Sequence, residues 1–234
     1  MNDENDENDT DFDLRAAMAT ALADRAGAWA LVRGFAAYWG EPLGPRDGFT
    51  DAELDAAEQR LGLRLPPALR EAYRLFGRRA DLTSCQDVLL TPDELHVLDG
   101  ALVYRAENQG CAHWGVLLDD LALDDPPTVG RPDLADKSQE RWEPWEERFS
   151  TAAAVMAMSE KLLEDDELTD FLESEAELPV TFGELPRFGR DCRWYEGPDV
   201  LVQAVGDAWI AVRARTPEAL DALREAVPGD WLNG

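Results

Sequence analysis

Cysteine and histidine are scarce in this chain. Cys85, Cys111 and Cys192 are the only three cysteines in 234 residues. They are too few and too scattered for a disulfide framework, so reduced thiols are expected. With two histidines, His96 and His113, a Ser-His-Asp triad is nearly excluded. Cys111-Ala112-His113 offers two metal ligands, but the paired short spacings of zinc motifs are missing, and no metal is expected. A Gly-rich phosphate loop, Gly-x-Ser-x-Gly and Cys-x-x-Cys are all absent, so no cofactor is expected either. No apolar run is long enough to span a bilayer. The first residues, MNDENDENDTDFD, lack the basic start and apolar core of a signal peptide. These absences predict a cytoplasmic protein.

Basic residues are few as well: 22 Lys and Arg stand against 49 Asp and Glu, a net charge of −27. Such a field repels nucleic acid and anionic membrane, and it speeds encounter with basic proteins. It would equally serve solubility alone. Paired carboxylates, as a glycosidase needs, carry no information among so many acids.

What is present is enough apolar material, 45% of residues, for one domain or one domain with an appendage. Residues 1–11 read as a disordered acidic tail. Residues 12–48 read as an N-terminal helical extension, with Trp29, Val32, Phe35, Ala36 and Trp39 at helical spacing and Gly27 as a break. Phe49 to Gly77 is the most explicit stretch. Thr50 and Glu53 form a capping box, Phe49 and Leu54 have the spacing of a hydrophobic staple, and Gly62 is a C-terminal stop. A short extended link then leads to Pro66-Pro67, which opens a second helix ending at Gly77. Glu58 shares the buried face of the first helix with Leu54 and Leu61. It is either a structural carboxylate, bonded to backbone N–H groups or an Arg, or a functional base.

Further on, Asp87 to Leu90, Ala101 to Tyr104 and Gly115 to Leu118 read as strands, with a short helix from Thr91. Glu143 to Ser159 is helical from its middle onward. Glu160 to Glu177 reads as acidic helix with a solvated face, lined inside by Leu162, Leu163, Leu168, Phe171 and Leu172. Asp199 to Val205 and Ala208 to Arg215 read as a hairpin around Gly206-Asp207, with Trp209 and Val212 on opposite faces, one of them less buried. Thr216-Pro217-Glu218 starts a last helix.

The order Glu58…Leu61-Gly62…Leu65-Pro66-Pro67…Leu69-Arg70…Tyr73…Gly77 resembles the SMI1/KNR4 family, or SUKH superfamily. Glu107-Asn108-Gln109-Gly110 before Trp114-Gly115-Val116, then Asp125-Pro126-Pro127-Thr128-Val129, then Trp142 with Phe149-Ser150, agree in order and spacing. The resemblance covers about residues 39–163, and more loosely the rest. It implies a single α+β domain, a mostly antiparallel sheet with helices against it. Residues 49–163 would be the family core and residues 164–234 an acidic helix followed by the C-terminal hairpin and helix. Many bacterial members are similar to immunity proteins, which bind and block a toxin, often a nuclease or another nucleic-acid-acting enzyme. Others are intracellular scaffold or regulatory modules. The family has no shared catalytic constellation.

The resemblance points to binding and names no partner; taken with the acidic charge, the expectation is a non-catalytic binder of a basic protein toxin, acting by stoichiometric occlusion, as a monomer or weak homodimer. A scaffold without a toxin, and an enzyme acting through Glu58, are the alternatives. Acids on loops would steer the partner, and aromatics flanked by charge would supply the desolvated contact. On that basis Asp119, Asp120, Asp124, Asp125, Glu143, Glu146 and Glu147 are the candidate acids, and Trp145 and Trp194 the candidate anchors. Trp142 reads as structural.

Overall fold

Two antiparallel sheets touch one buried helix. The computed structural model describes residues 12–173, 178, 181–190, 192–206 and 209–233. The acidic tail therefore lies outside the described residues, as do Asp207 and Ala208 of the expected hairpin turn. The first sheet contains β1 (Val88–Leu89), β2 (His96–Leu98), β3 (Ala101–Ala106), β4 (Ala112–Leu117), β5 (Val129–Pro132) and β6 (Glu143–Pro144), in the order β1-β3-β4-β5-β6 with β2 also on β3. The second contains β7 (Thr169–Glu173), β8 (Gly183–Glu184), β9 (Cys192–Gly197), β10 (Val200–Val205) and β11 (Trp209–Ala214), in the order β7-β11-β10-β9-β8. The class is α+β as expected, but with two sheets where one was expected.

The N-terminal helices α1 (Leu14–Ala23) and α2 (Arg25–Trp39) break at Asp24, not at Gly27. Asp24 takes an extended φ of −157° and its carboxylate caps α2 by accepting from Gly27 N–H at 2.7 Å. Gly27 serves a different purpose: a Cβ there would lie 2.3 Å from the Thr20 carbonyl, so glycine lets the two helices cross closely. Leu14, Met18, Leu31, Val32 and Phe35 belong to the same buried cluster as Leu54, Leu69 and Phe76. The inner faces of α1 and α2 are thus part of the main core, where an added extension was expected.

Helices α3 (Asp51–Leu61) and α4 (Pro67–Phe76) follow the sequence closely. Both bonds of the capping box form between Thr50 and Glu53, and Gly62 is left-handed at φ 68°. A short helix α5 (Ala80–Thr83) comes next. Thr91 starts a single turn rather than a helix, because the chain enters β2 at His96.

Helix α6 (Phe149–Leu162) joins the sheets. Tyr104 of the first sheet meets Phe149 edge-on at 5.0 Å, and Gln203 of the second donates to Ser159 Oγ at 2.8 Å. After Leu162 the sequence does not continue as acidic helix. Thr169 to Glu173 is strand β7 beside β11, with the adjacent Phe171 and Leu172 packed into the two clusters on opposite faces of the sheet. Both faces of the second sheet are covered. Leu201, Ala211 and Trp194 face α6, while Val200, Val202, Ile210 and Val212 pack with Leu220 and Leu223 of α7 (Pro217–Ala226). The expectation of one less buried face is corrected accordingly. Val205 pairs with Trp209, so residues 206–208 separate the strands, one more than a two-residue turn.

Candidate partner-binding surface

The segment after β4 is held at both ends. Leu118 N–H donates to the Gly100 carbonyl at 2.9 Å and opens a 3₁₀ turn, Leu118–Asp120. At the far end the Asp124 carbonyl accepts from Ala68 N–H and from Arg25 Nη1, each at 2.9 Å. Between these anchors Leu118 and Leu123 stand 39% and 49% exposed. Asp119 and Asp124 are exposed and Asp120 is half-buried. None of the three carboxylates has an ion pair or a hydrogen bond among the described residues. The result is a fixed ridge of two leucines among three uncompensated acids.

Asp125, one residue further, does something else. Its carboxylate accepts from Ser150 N–H at 2.8 Å and Ser150 Oγ at 2.6 Å, which caps the second residue of α6. It is occupied structurally and leaves the candidate set. The neighbouring run joins the ridge at the same helix start: Phe149 N–H donates to the Pro126 carbonyl at 2.7 Å, Thr128 N–H donates to the Glu146 carbonyl, and Glu146 N–H donates to Thr128 Oγ1. Glu143 is exposed on β6 and pairs with Arg141 at 2.6 Å. Glu146 accepts from Arg190 N–H at 2.5 Å, and Glu147 is exposed.

The tryptophans separate. Trp194 is 0% exposed and its indole N–H donates to the Phe188 carbonyl at 2.7 Å. It is a core residue and cannot anchor a partner. The polar residues beside it in sequence, Arg193 and Tyr195, point to the other sheet face because side chains alternate along β9. Trp145 is half-buried, edge-on to Trp114 at 6.0 Å and seated over Gly130. Trp142 donates its indole N–H to Leu98 across the first sheet at 3.2 Å, in keeping with a structural role.

Glu58 is 7% exposed and fully engaged. One carboxylate oxygen accepts from Leu65 N–H at 2.9 Å and meets Arg70 at 3.1 Å, while the other meets Arg64 at 2.9 Å. Burial alone would raise its pKa, but the Leu65 amide and the two guanidiniums outweigh it and hold the carboxyl below its ordinary value. A general base needs the opposite, a pKa moved up toward neutrality. Burial, with help from Glu160, Glu164 and Asp81, pushes the Cys85 thiol up to about 12, which removes it as a thiolate nucleophile or ligand near pH 7. Among the described residues no three His, Cys, Asp or Glu side chains are grouped to hold a metal ion. No described helix is long and apolar enough to cross a membrane.

Sequence reasoning missed two fully buried carboxylates, Glu160 and Asp170. Glu160 accepts from Gln86 and Asp87 N–H and pairs with Arg105 at 2.5 Å. Asp170 takes both Arg224 Nε and Nη2 and the Asn233 N–H. Arg224, four residues past Leu220 on the inner stripe of α7, was the available signal. No protein-family model, curated protein or solved structure matches this chain. The resemblance to SMI1/KNR4 proteins rests on the residues quoted for it.

Proposed function

We propose that this chain is an immunity-type binding protein of the SMI1/KNR4 kind, acting in the cytoplasm, which neutralises a basic protein toxin by one-to-one occlusion without catalysis. The observation that supports this reading is the ridge from Leu118 to Asp124. Exposed leucines give a contact that can be desolvated, and unpaired acids around them select a basic partner and steer its approach. A solubilising surface needs no such combination, because solubility is served by charge without exposed leucines beside it. A nuclease's cationic phosphate-binding groove would be a fitting target, with these acids taking the place of phosphates.

The test is capture of partners on the tagged full chain from its native lysate at low salt. The same capture is run with an Asp119→Lys, Asp120→Lys, Asp124→Lys variant. A basic toxin domain recovered in equimolar amount by the parent, lost as salt rises and lost with the variant, is the expected outcome. Equal recovery of that domain by both proteins would remove the ridge from the interface. Recovery of a non-toxic endogenous partner in its place would favour the scaffold alternative.

A further inference from the structure

A cleft at the start of α6 differs in charge from two other clefts of the molecule. Its volume is about 340 Å³, and its lining includes Arg148, Arg187 and Arg190 against Glu146 and Glu147. Bases thus outnumber acids locally in a chain whose net charge is −27. The clefts at Glu58 and at Phe49 each have two acids against one base.

The cleft is built, not incidental. Gly189 takes φ +92°, and a Cβ there would sit 2.9 Å from Val155 and 3.0 Å from Cys192 Sγ. Glycine therefore lets the 187–190 turn close onto α6 and carry its arginines to the helix start. Arg148 is held by the carbonyls of Ala21 and Leu22 at the end of α1. Arg187 is exposed and has no ion pair or hydrogen bond among the described residues. Glu146 already accepts from the Arg190 amide.

Thr151 supplies the second, independent feature. It lines the cleft and is 7% exposed, yet its hydroxyl has no hydrogen-bond partner among the described residues. Its amide is the third of α6. The amide before it is taken by Asp125, the one before that by Pro126, and the one after by Arg148, while Thr151 N–H itself has no acceptor among the described residues. An N–H and an O–H at a helix start, both without acceptors and flanked by guanidiniums, are donors arranged for an oxyanion. Trp145 contributes an aromatic wall.

We infer that this cleft binds a small molecule that presents one compact oxyanion, a phosphate monoester or a carboxylate, on a flat body. The Thr151 amide and hydroxyl and the Arg187 and Arg148 guanidiniums hold the oxyanion, and Trp145 holds the body. The volume suits a small ligand. Glu147 at the lining disfavours extended polyanions by like-charge repulsion. This inference stands apart from the proposed toxin binding and uses none of the ridge acids.

The test is a ¹H–¹⁵N NMR titration of the full chain at constant ionic strength with inorganic phosphate, benzoate and adenosine 5′-monophosphate as separate probes. The expected result is a saturable shift of the Thr151 amide and Trp145 indole N–H, tighter for a flat-bodied probe than for inorganic phosphate. Whether benzoate or the monophosphate binds more tightly tells carboxylate from phosphate. Thr151→Val and Arg187→Ala should each weaken binding by about tenfold, the loss expected for one charge-assisted hydrogen bond, with the remaining spectrum unchanged. Shifts that grow linearly without saturation, or that persist unchanged in Arg187→Ala, would overturn the site. A flat-bodied probe no tighter than inorganic phosphate would overturn the role given to Trp145.

Discussion

Two acidic stretches of this chain, 118–125 and 160–170, look alike in composition but differ in how many of their acids the fold uses; in the second, only Asp165 and Glu167 are exposed and uncommitted among the described residues. In the second, Glu160, Glu164, Asp166 and Asp170 are all committed to arginines, lysine or backbone amides, and they tie α6, β7, β11 and α7 together. In the first, Asp119, Asp120 and Asp124 have no such commitments, and only Asp125 is used inside the fold. The difference follows from where the bases lie. Arg105, Arg213 and Arg224 project from strands and a helix that are already packed, so the acids opposite them become structure. Arg25 reaches the ridge but bonds the Asp124 carbonyl and pairs with Glu71, so the ridge carboxylates remain available to a partner.

That contrast can be broken most forcefully at Glu160. Glu160→Ala would leave the half-buried Arg105 with Asp87 as its remaining ion-pair partner and two amides without their carboxylate, at a cost of about 3–5 kcal/mol in denaturant unfolding. Trp194→Ala should cost a similar amount, about 3–5 kcal/mol, from the cavity it leaves. A mild effect there would return Trp194 to the list of surface residues.

Glu58→Gln comes next, at about 1–3 kcal/mol at neutral pH. The folded carboxyl titrates below its ordinary 4.5. Its contribution is therefore complete above that value and is lost as pH falls through the lower folded one. The gap between parent and variant should close on acidification; a gap that widened in acid would contradict the ion-paired geometry.

Just past the ridge, Asp125→Ala removes the contact to Ser150 and should cost about 1 kcal/mol, the usual size of a helix-cap loss. The triple change of Asp119, Asp120 and Asp124 to Asn should move stability by no more than about 0.5 kcal/mol. In stopped-flow binding at low salt it should slow association with a basic partner several-fold. Equal stability losses for Asp125 and for its three neighbours would erase the distinction drawn between them.

The parts of the fold legible in the sequence are those where local chemistry decides. Thr50 with Glu53, Gly62, Pro66-Pro67 and Thr216-Pro217 fixed helix ends because caps act within a few residues. The β2–β3 hairpin could have been read too: Asp99 and Gly100 both take positive φ, 41° and 83°, as an Asp-Gly turn demands. Residues 160–173 were misread because the spacing of Leu162, Leu163, Leu168, Phe171 and Leu172 also fits a helix, and nothing local reveals that Arg105 and Arg224 wait across the fold. Asp125 and its neighbours were indistinguishable for the same reason, since the Ser150 that claims one of them lies 25 residues away. The cleft at Thr151 draws on α6, the 187–190 turn and the segment before α6, a combination that no single window of sequence contains.

The placement of α6 bears on how the molecule comes apart. Tyr104 and Arg105 of one sheet and Gln203 of the other all rest on this helix, so neither sheet can open without uncovering it. Its central amides should be among the last to exchange with deuterium, and their exchange rate should track global unfolding rather than any local fluctuation. The two halves would then melt in a single transition, and a ligand held at the helix's first turn would raise the melting temperature of both sheets together.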